Sequence, residues 1–108
     1  MQTKRVKRVH LGPVAKFFAQ AVQQIPEVEL VVIVDGEGDD RRIWTIIDAP
    51  PLDREVRRRV YAVEREADKN GDEDIGFRLI NLRELPHGIA GLHIQGLPVL
   101  YQRKRDVA

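Results

Sequence analysis

The stretch that most constrains the fold is Val28–Asp48, in which two apolar, β-branched runs flank an acidic turn. Each run has about the length of a strand, and Pro26 separates the first from the residues before it, so both are predicted to be buried strands. Gly36 and Gly38 suit a hairpin turn, because glycine accepts the positive φ that a tight return requires. Side chains alternate across a strand, and both parities are apolar here. The sheet therefore needs a cover on each face.

Two amphipathic helices are predicted to cover one face of this sheet. Pro13 starts the first helix, since proline is well tolerated at the first helical position, and Pro26 ends it. Asp48 or Asp53 is a suitable N-cap for the second helix, and Asn70-Gly71 is a suitable C-terminal stop for it. The apolar stripes of the helices are Val14, Phe17, Phe18, Val22 and Leu52, Val56, Val60, Val63.

The remaining elements complete an α+β domain. A third strand is predicted over Ile75–Leu82, and Leu97–Tyr101 is either a last short strand or a cover for the open face. The prediction is one domain over residues 1–108, with a three- to four-stranded, mostly antiparallel sheet and two helices on one face. Met1–Leu11 is either a mobile basic arm or, in a ferredoxin-like βαββαβ arrangement, contains a first strand over Arg5–Leu11. The rest of the predicted core is Leu30, Val32, Val34, Ile43, Ile47, Phe77 and Leu79.

Composition excludes several classes of chemistry. The chain of 108 residues contains no serine and no cysteine, which excludes serine and cysteine nucleophiles, disulfides and thiolate metal sites. Neither of the best-marked phosphate-binding glycine loops is present. No apolar run exceeds strand length, so we expect a cytoplasmic protein without a membrane partner. No catalytic residue and no cofactor are predicted, and an enzymatic role is left open with a preference against it.

Two acidic segments invite a metal-binding interpretation. Asp68–Asp74 is similar to the calcium loop of an EF-hand, but Glu73 stands where glycine must turn, and Leu79 where a bidentate glutamate is needed. An acidic turn between a helix and a strand accounts for it better. Asp39 and Asp40 lie in the hairpin turn, where acids are mostly solvated.

Basic residues gather at the two ends of the chain, although the formal net charge is only +1. The ends could together contact nucleic-acid phosphates, with salt-sensitive binding; the residues concerned are Arg5, Lys7, Arg8, Arg103, Lys104 and Arg105. One charge-rich face of the second helix is interpreted as a solvated face with internal ion pairs; its arginines are Arg54, Arg57, Arg58 and Arg65. The predicted ion pairs are Asp53 with Arg57 and Glu55 with Arg59. The aromatic residues Trp44, Tyr61 and Tyr101 are assigned to the core or its edge.

The order of elements resembles that of the minimal nucleotidyltransferases. The similar segments are Ile25–Ile33, Asp74–Ile80 and Val99–Arg103. The family's Gly-Ser loop and helix after the first strand have no counterpart in Val34–Arg42. The residues nearest to its carboxylate pair, which would hold two magnesium ions, are Asp39, Asp40 and Asp74. With these departures, the resemblance implies a member without nucleotidyl-transfer activity.

The leading functional hypothesis is a non-enzymatic interaction domain that forms a homo-oligomer, most simply a dimer, or binds another protein. The apolar residues assigned to the uncovered sheet face are Trp44, Ile46, Ile80 and Leu82, together with Val31 and Ile33. Ile89–Tyr101, broken by glycine and proline, is short for covering them, so a partner is predicted to do so. The alternatives are a nucleotide- or divalent-metal-binding domain of the nucleotidyltransferase type and an RNA or DNA binder that uses its basic termini.

Overall fold

The computed structural model describes residues 11–36 and 40–104. Its helices are α1 (Pro13–Ala21) and α2 (Arg54–Asp68), and its strands are β1 (Val28–Asp35), β2 (Arg41–Ile47), β3 (Ile75–Asn81) and β4 (Val99–Gln102). Short 3₁₀ turns span Val22–Gln24, Leu82–Glu84 and Gly88–Leu92. Within the described ranges, no helix combines the length and the apolar character needed to cross a membrane. The predicted α+β class is confirmed.

The four strands form one mixed sheet in the order β3-β2-β1-β4. The pairs β1–β2 and β1–β4 are antiparallel, whereas β2–β3 is parallel. A parallel pair needs a crossover connection, and α2 provides it. The sheet is thus mostly antiparallel, as predicted. Residues 5–10 of the alternative first strand lie outside the described residues.

Both helices pack on one side of the sheet, which we call the first face. Its buried cluster joins Phe18 of α1 and Val60 of α2 to Ile43 and Ile47 of β2. Pro13 opens α1 as predicted, and Asp53, not Asp48, caps α2.

The capping bonds follow from the free N–H groups that every helix start exposes. The Asp53 side chain accepts hydrogen bonds from the backbone N–H groups of Glu55 and Val56, at 3.0 and 3.4 Å. Asp48 instead accepts a hydrogen bond from the Arg83 guanidinium at 2.7 Å.

The side-chain parity predicted for β1 is wrong. Ile33 pairs with Ile43 and Val32 pairs with Trp44, so the odd-numbered residues face the helices beyond the register shift between Val28 and Leu30. Val31 accordingly belongs to the first-face cluster, whereas Leu30, Val32 and Val34 belong to the opposite one. The sequence shows that side chains alternate between the two faces within each strand. Which residues of β1 share a face with which residues of β2 depends on the length of the hairpin loop, so it could not be predicted.

Two further assignments to the core are wrong. Leu52 is 92% exposed, because α2 begins only after Asp53 and Leu52 precedes the cap. Tyr61 lies on the outer side of α2 and is 41% exposed. Gly36 does not take a positive φ, and Gly38 lies outside the described residues.

The second face of the sheet is covered by the chain itself. Residues 82–98, which we call the C-terminal cover, bring Ile94 and partly buried leucines against the buried residues of this face; the leucines are Leu82, Leu85, Leu92 and Leu97. The cover folds back through three left-handed residues, Gly88 (φ 59°), His93 (φ 52°) and Gly96 (φ 87°). The glycines that made this segment look unable to cover a sheet are the residues that allow it to turn across one.

Candidate functional site

In the part of the chain that the structure describes, a concave surface lies where the C-terminal cover meets β1 and β4. It is a groove of about 530 Å³. Its lining residues are Leu30, Val32, Ile89, Ala90, His93, Ile94, Gln95, Gly96, Leu97, Val99 and Gln102. None of them is Asp, Glu, Lys or Arg, although 32% of the whole chain is charged. The groove is therefore a surface without Asp, Glu, Lys or Arg on a charge-rich protein.

The local backbone explains why this groove stays open. The left-handed residues His93 and Gly96 bend the cover so that Ile94 points into the second-face cluster. Ile89 and Val99 line the groove without being buried, since they remain 42% and 53% exposed. Large apolar side chains with this exposure, gathered at one concave surface, are typical of interaction sites.

β4 adds a second feature to the same region. It is the last strand of the described sheet and pairs only with β1, so no described strand occupies its outer edge. Unpaired strand edges present a row of backbone donors and acceptors that another strand can use. The groove and this edge of β4 share Val99 and Gln102.

The residues predicted for a dimer interface lie on the second face, beneath or beside the C-terminal cover. Ile46 and Ile80 are buried, at 0% and 6% exposure, and Leu82 packs against them as part of the cover. Trp44 is half-buried, and the Arg78 guanidinium lies 4.9 Å from its ring centroid, a cation–π contact. A partner could reach Ile46 and Ile80 only after the cover was displaced.

Of the predicted metal ligands, Asp40 and Asp74 lie in the described residues. Asp40 forms an exposed ion pair with Arg42 at 3.3 Å, and Asp74 is exposed just before β3. Asp39 lies outside the described residues. In residues 11–36 and 40–104, no group of three or more His, Asp or Glu side chains could hold a metal ion.

One acidic side chain of the EF-hand-like loop, Glu73, has a structural role. Glu73 accepts a hydrogen bond from the backbone N–H of Val14 at 2.9 Å, across 59 residues of sequence. Its carboxylate thus satisfies a free N–H in the first turn of α1, where negative charge is favourable. The space is tight, because a Cβ atom added at Gly12 would collide with the Glu73 carboxylate.

The predicted nucleic-acid surface at the chain termini is only partly described. The Arg103 guanidinium donates hydrogen bonds to the backbone carbonyls of Val28 (3.1 Å) and Ile25 (2.9 Å), so it ties the end of β4 to the start of β1. Lys104 is exposed. The others lie outside the described residues: Arg5, Lys7, Arg8 and Arg105.

Glu64 on α2 is a titratable group that the sequence analysis did not identify. Its pKa is raised from 4.5 to about 7, mainly by burial and then by the charge of Asp68, while Arg65 lowers it. One carboxylate oxygen, Oε2, is buried without a hydrogen-bond partner among the described residues. Folding therefore favours the protonated form of Glu64 relative to the unfolded chain.

We expect this glutamate to make stability fall as pH rises. The folded state binds the proton more tightly than the unfolded state, so its contribution is complete below pH 4.5 and is lost as pH rises through 7. After allowance for solvent screening of a half-buried group, Glu64→Gln should stabilise the protein by about 1–2 kcal/mol at pH 8 and change little at pH 4.5. Urea unfolding at both pH values measures this. Glu66→Gln, at an exposed position of the same helix, should change stability by less than about 0.5 kcal/mol at either pH; equal effects of the two variants would contradict the assignment.

Sequence reasoning missed the groove because no motif marks it. Its residues come from β1, β4 and the cover, and only the fold brings them together. The available signal was the absence of charge between Gly88 and Gln102, where His93 is the only titratable side chain apart from Tyr101.

The chain matches no protein-family model and no curated protein.

Proposed function

We propose that this chain is a non-enzymatic interaction domain that self-associates, with two copies meeting at the groove and the adjoining edge of β4. The observation that carries the proposal is the exposure of Ile89 and Val99 at an uncharged concave surface. Burial of apolar area supplies the main favourable term in association. The proposal keeps the self-association inferred from the sequence and moves the contact from the centre of the second face to its β4 side.

The chemistry of the groove favours a second copy as the occupant. In a two-fold dimer the same patch faces itself, so any charge in the patch would meet its own like charge near the axis. A lining without charged residues avoids this repulsion. A strongly acidic or basic partner would find no complementary charge here. Gln95 and Gln102 offer side chains that both donate and accept hydrogen bonds, so they suit a self-complementary rim.

The edge of β4 gives the proposed dimer a defined geometry. Two β4 strands related by a two-fold axis run antiparallel, and their pairing would continue the sheet from one copy into the other. A strand of four residues offers few backbone hydrogen bonds. The apolar contact of Ile89 and Val99 therefore has to supply most of the affinity, and we expect a dimer in the micromolar range.

Substitutions in the groove should dissociate the dimer. Size-exclusion chromatography with light scattering at about 50 μM should give twice the 12.4 kDa chain mass for the unmodified protein. Val99→Lys and Ile89→Glu should each shift the mass towards 12.4 kDa, because two-fold symmetry places each new charge in the interface twice and desolvation of unpaired charge is costly. The expected weakening is about 100-fold or more.

Leu52→Glu is the matched control, since Leu52 is an exposed apolar residue outside the groove. It should leave the mass unchanged. A single 12.4 kDa species for the unmodified chain would contradict self-association. A dimer that survives both groove substitutions but is lost in Trp44→Glu would contradict the groove and restore the interface first inferred from the sequence.

A further inference from the structure

Four of the five arginines of α2 form one surface on the side of the helix that faces away from the sheet. Arg54, Arg57, Arg58, Tyr61 and Arg65 line a shallow depression of about 350 Å³. We call these five residues the arginine face. Their spacing of three and four places them on one side of the helix, over a length of about 16 Å at 1.5 Å per residue.

Of the two ion pairs predicted from the sequence, Glu55 with Arg59 is present at 3.7 Å, whereas Arg57 pairs with Glu84 and not with Asp53. The ion pairs of α2 leave part of the arginine face without a partner. Arg57 donates to Glu84 at 2.8 Å, and Arg58 to Glu55 at 3.3 Å. Neither Arg54 nor Arg65 forms an ion pair with an acid of the described residues.

The ion pair between Arg58 and Glu55 is weak, so another anion can take the place of Glu55. The side chains of Arg58 and Glu55 are 74% and 55% exposed. Exposed pairs of this kind contribute at most about 1 kcal/mol, so Arg58 can exchange its carboxylate for another anion. Three arginines are thus available to a ligand, and Arg57 is held in place beside them by Glu84.

The residue types indicate which anion the surface suits. All four cationic residues are arginine, whose planar guanidinium binds phosphate through two parallel hydrogen bonds. Tyr61 lies between them with 41% of its surface exposed. An exposed aromatic ring among arginines can stack on an unpaired base while the arginines contact the flanking phosphates. A protein or peptide rich in acidic residues would use the charges but has no need of the ring.

We propose that the arginine face binds single-stranded nucleic acid, with Tyr61 stacking on a base and Arg54, Arg58 and Arg65 contacting backbone phosphates. This proposal is independent of self-association, because α2 covers the first face of the sheet and the groove lies on the second. It also differs from binding through the chain termini, since Arg103 is engaged with backbone carbonyls.

Fluorescence anisotropy with a labelled single-stranded oligouridylate of about 12 nucleotides tests the proposal on the full chain. The triple variant Arg54→Gln/Arg58→Gln/Arg65→Gln should lower affinity at least ten-fold at low salt. It should also reduce the slope of log K against log salt by about 2, which corresponds to three lost phosphate contacts. The control Lys16→Gln/Arg42→Gln/Lys104→Gln removes the same charge from exposed positions elsewhere. It should change affinity less than three-fold.

Substitutions of Tyr61 distinguish base stacking from the charge contacts of the arginines. Tyr61→Ala should weaken binding about five-fold or more, and Tyr61→Phe should retain the affinity of the unmodified chain, because the ring and not the hydroxyl makes the contact. Circular dichroism confirms that each variant is folded.

No binding of the oligonucleotide at low salt would overturn the proposal, as would equal losses in the two triple variants. Equal affinity for duplex DNA would exclude a single-strand site. Binding to vesicles of anionic lipid without binding to the oligonucleotide would assign the arginine face to a membrane surface instead.

Discussion

Replacement of Phe18 by alanine should lower the free energy of unfolding by about 3–5 kcal/mol, since this is the usual cost of removing a buried aromatic ring. Phe18 is 0% exposed at the centre of the first-face cluster. Its ring centroid lies 5.0 Å from that of Phe77, with the planes tilted by 46°. The substitution thus opens a cavity between α1 and β3 and removes an aromatic pair. Small domains have only about 5–15 kcal/mol of stability in total, so the loss is large.

Urea unfolding at a fixed protein concentration measures the loss, because dimerisation makes apparent stability depend on concentration. Phe18→Leu keeps most of the volume and should cost less, about 1–1.5 kcal/mol. The neighbouring Phe17 is only partly buried, so Phe17→Ala is the matched control and should cost clearly less than Phe18→Ala. Equal losses at the two positions would show that the α1 face has been assigned incorrectly.

The second large effect is expected at Asn81, a polar residue that is 2% exposed at the end of β3. Its amide group donates to the carbonyl of Ala49 at 2.8 Å and accepts from the N–H of Ala49 at 3.3 Å. It also accepts from the N–H of Arg83 at 3.2 Å. Asn81 therefore has three structural roles. It provides hydrogen-bond partners for the buried N–H and C=O of Ala49 after β2, it ends β3, and it precedes the start of the C-terminal cover.

Asn81→Ala should destabilise the chain by about 2–4 kcal/mol, because it leaves the buried N–H and C=O of Ala49 without partners. Asn70→Ala provides the comparison. Its side chain donates to the Glu66 carbonyl at 2.7 Å, but at an exposed position where water can replace it. We expect a loss below about 1 kcal/mol there. Similar losses for Asn81→Ala and Asn70→Ala would mean that solvent reaches Ala49.

The elements that could be predicted from the sequence are those whose signals are local. Proline at the start of α1, the Asp53 cap of α2 and the β-branched runs of the hairpin act on their own neighbours in the chain. Each of these elements is present in the structure. The class of the fold followed from their order.

The features that could not be predicted depend on relations between distant segments. The face that each side chain of β1 occupies depends on the register Asp35–Arg41 across the hairpin. The hydrogen bond from the Val14 N–H to the Glu73 carboxylate joins residues that are far apart in the sequence. The sequence therefore did not distinguish Glu73 from the other acids of its loop.

The C-terminal cover was the hardest part to predict. Its glycines and proline are typical of a loop in isolation. The positive φ angles that turn it across the sheet, and with it the groove, become apparent only once the sheet is in place. The groove could not be predicted for the same reason, because the cover forms one wall of it.

The most direct test of the central claim, that copies meet at the groove, is amide hydrogen exchange of the unmodified chain over a range of protein concentrations. At short exchange times protection reports local opening, and association adds to it only where the partner covers the backbone. The slowest amides, which exchange through global unfolding, gain protection throughout a dimer and are left out of the comparison. Peptides covering residues 89–102 should exchange slowly in concentrated samples and progressively faster on dilution below the dissociation constant. Peptides covering α2 should exchange at rates independent of concentration. Exchange over residues 89–102 that does not change with concentration, or a change confined to another part of the chain, would contradict the claim.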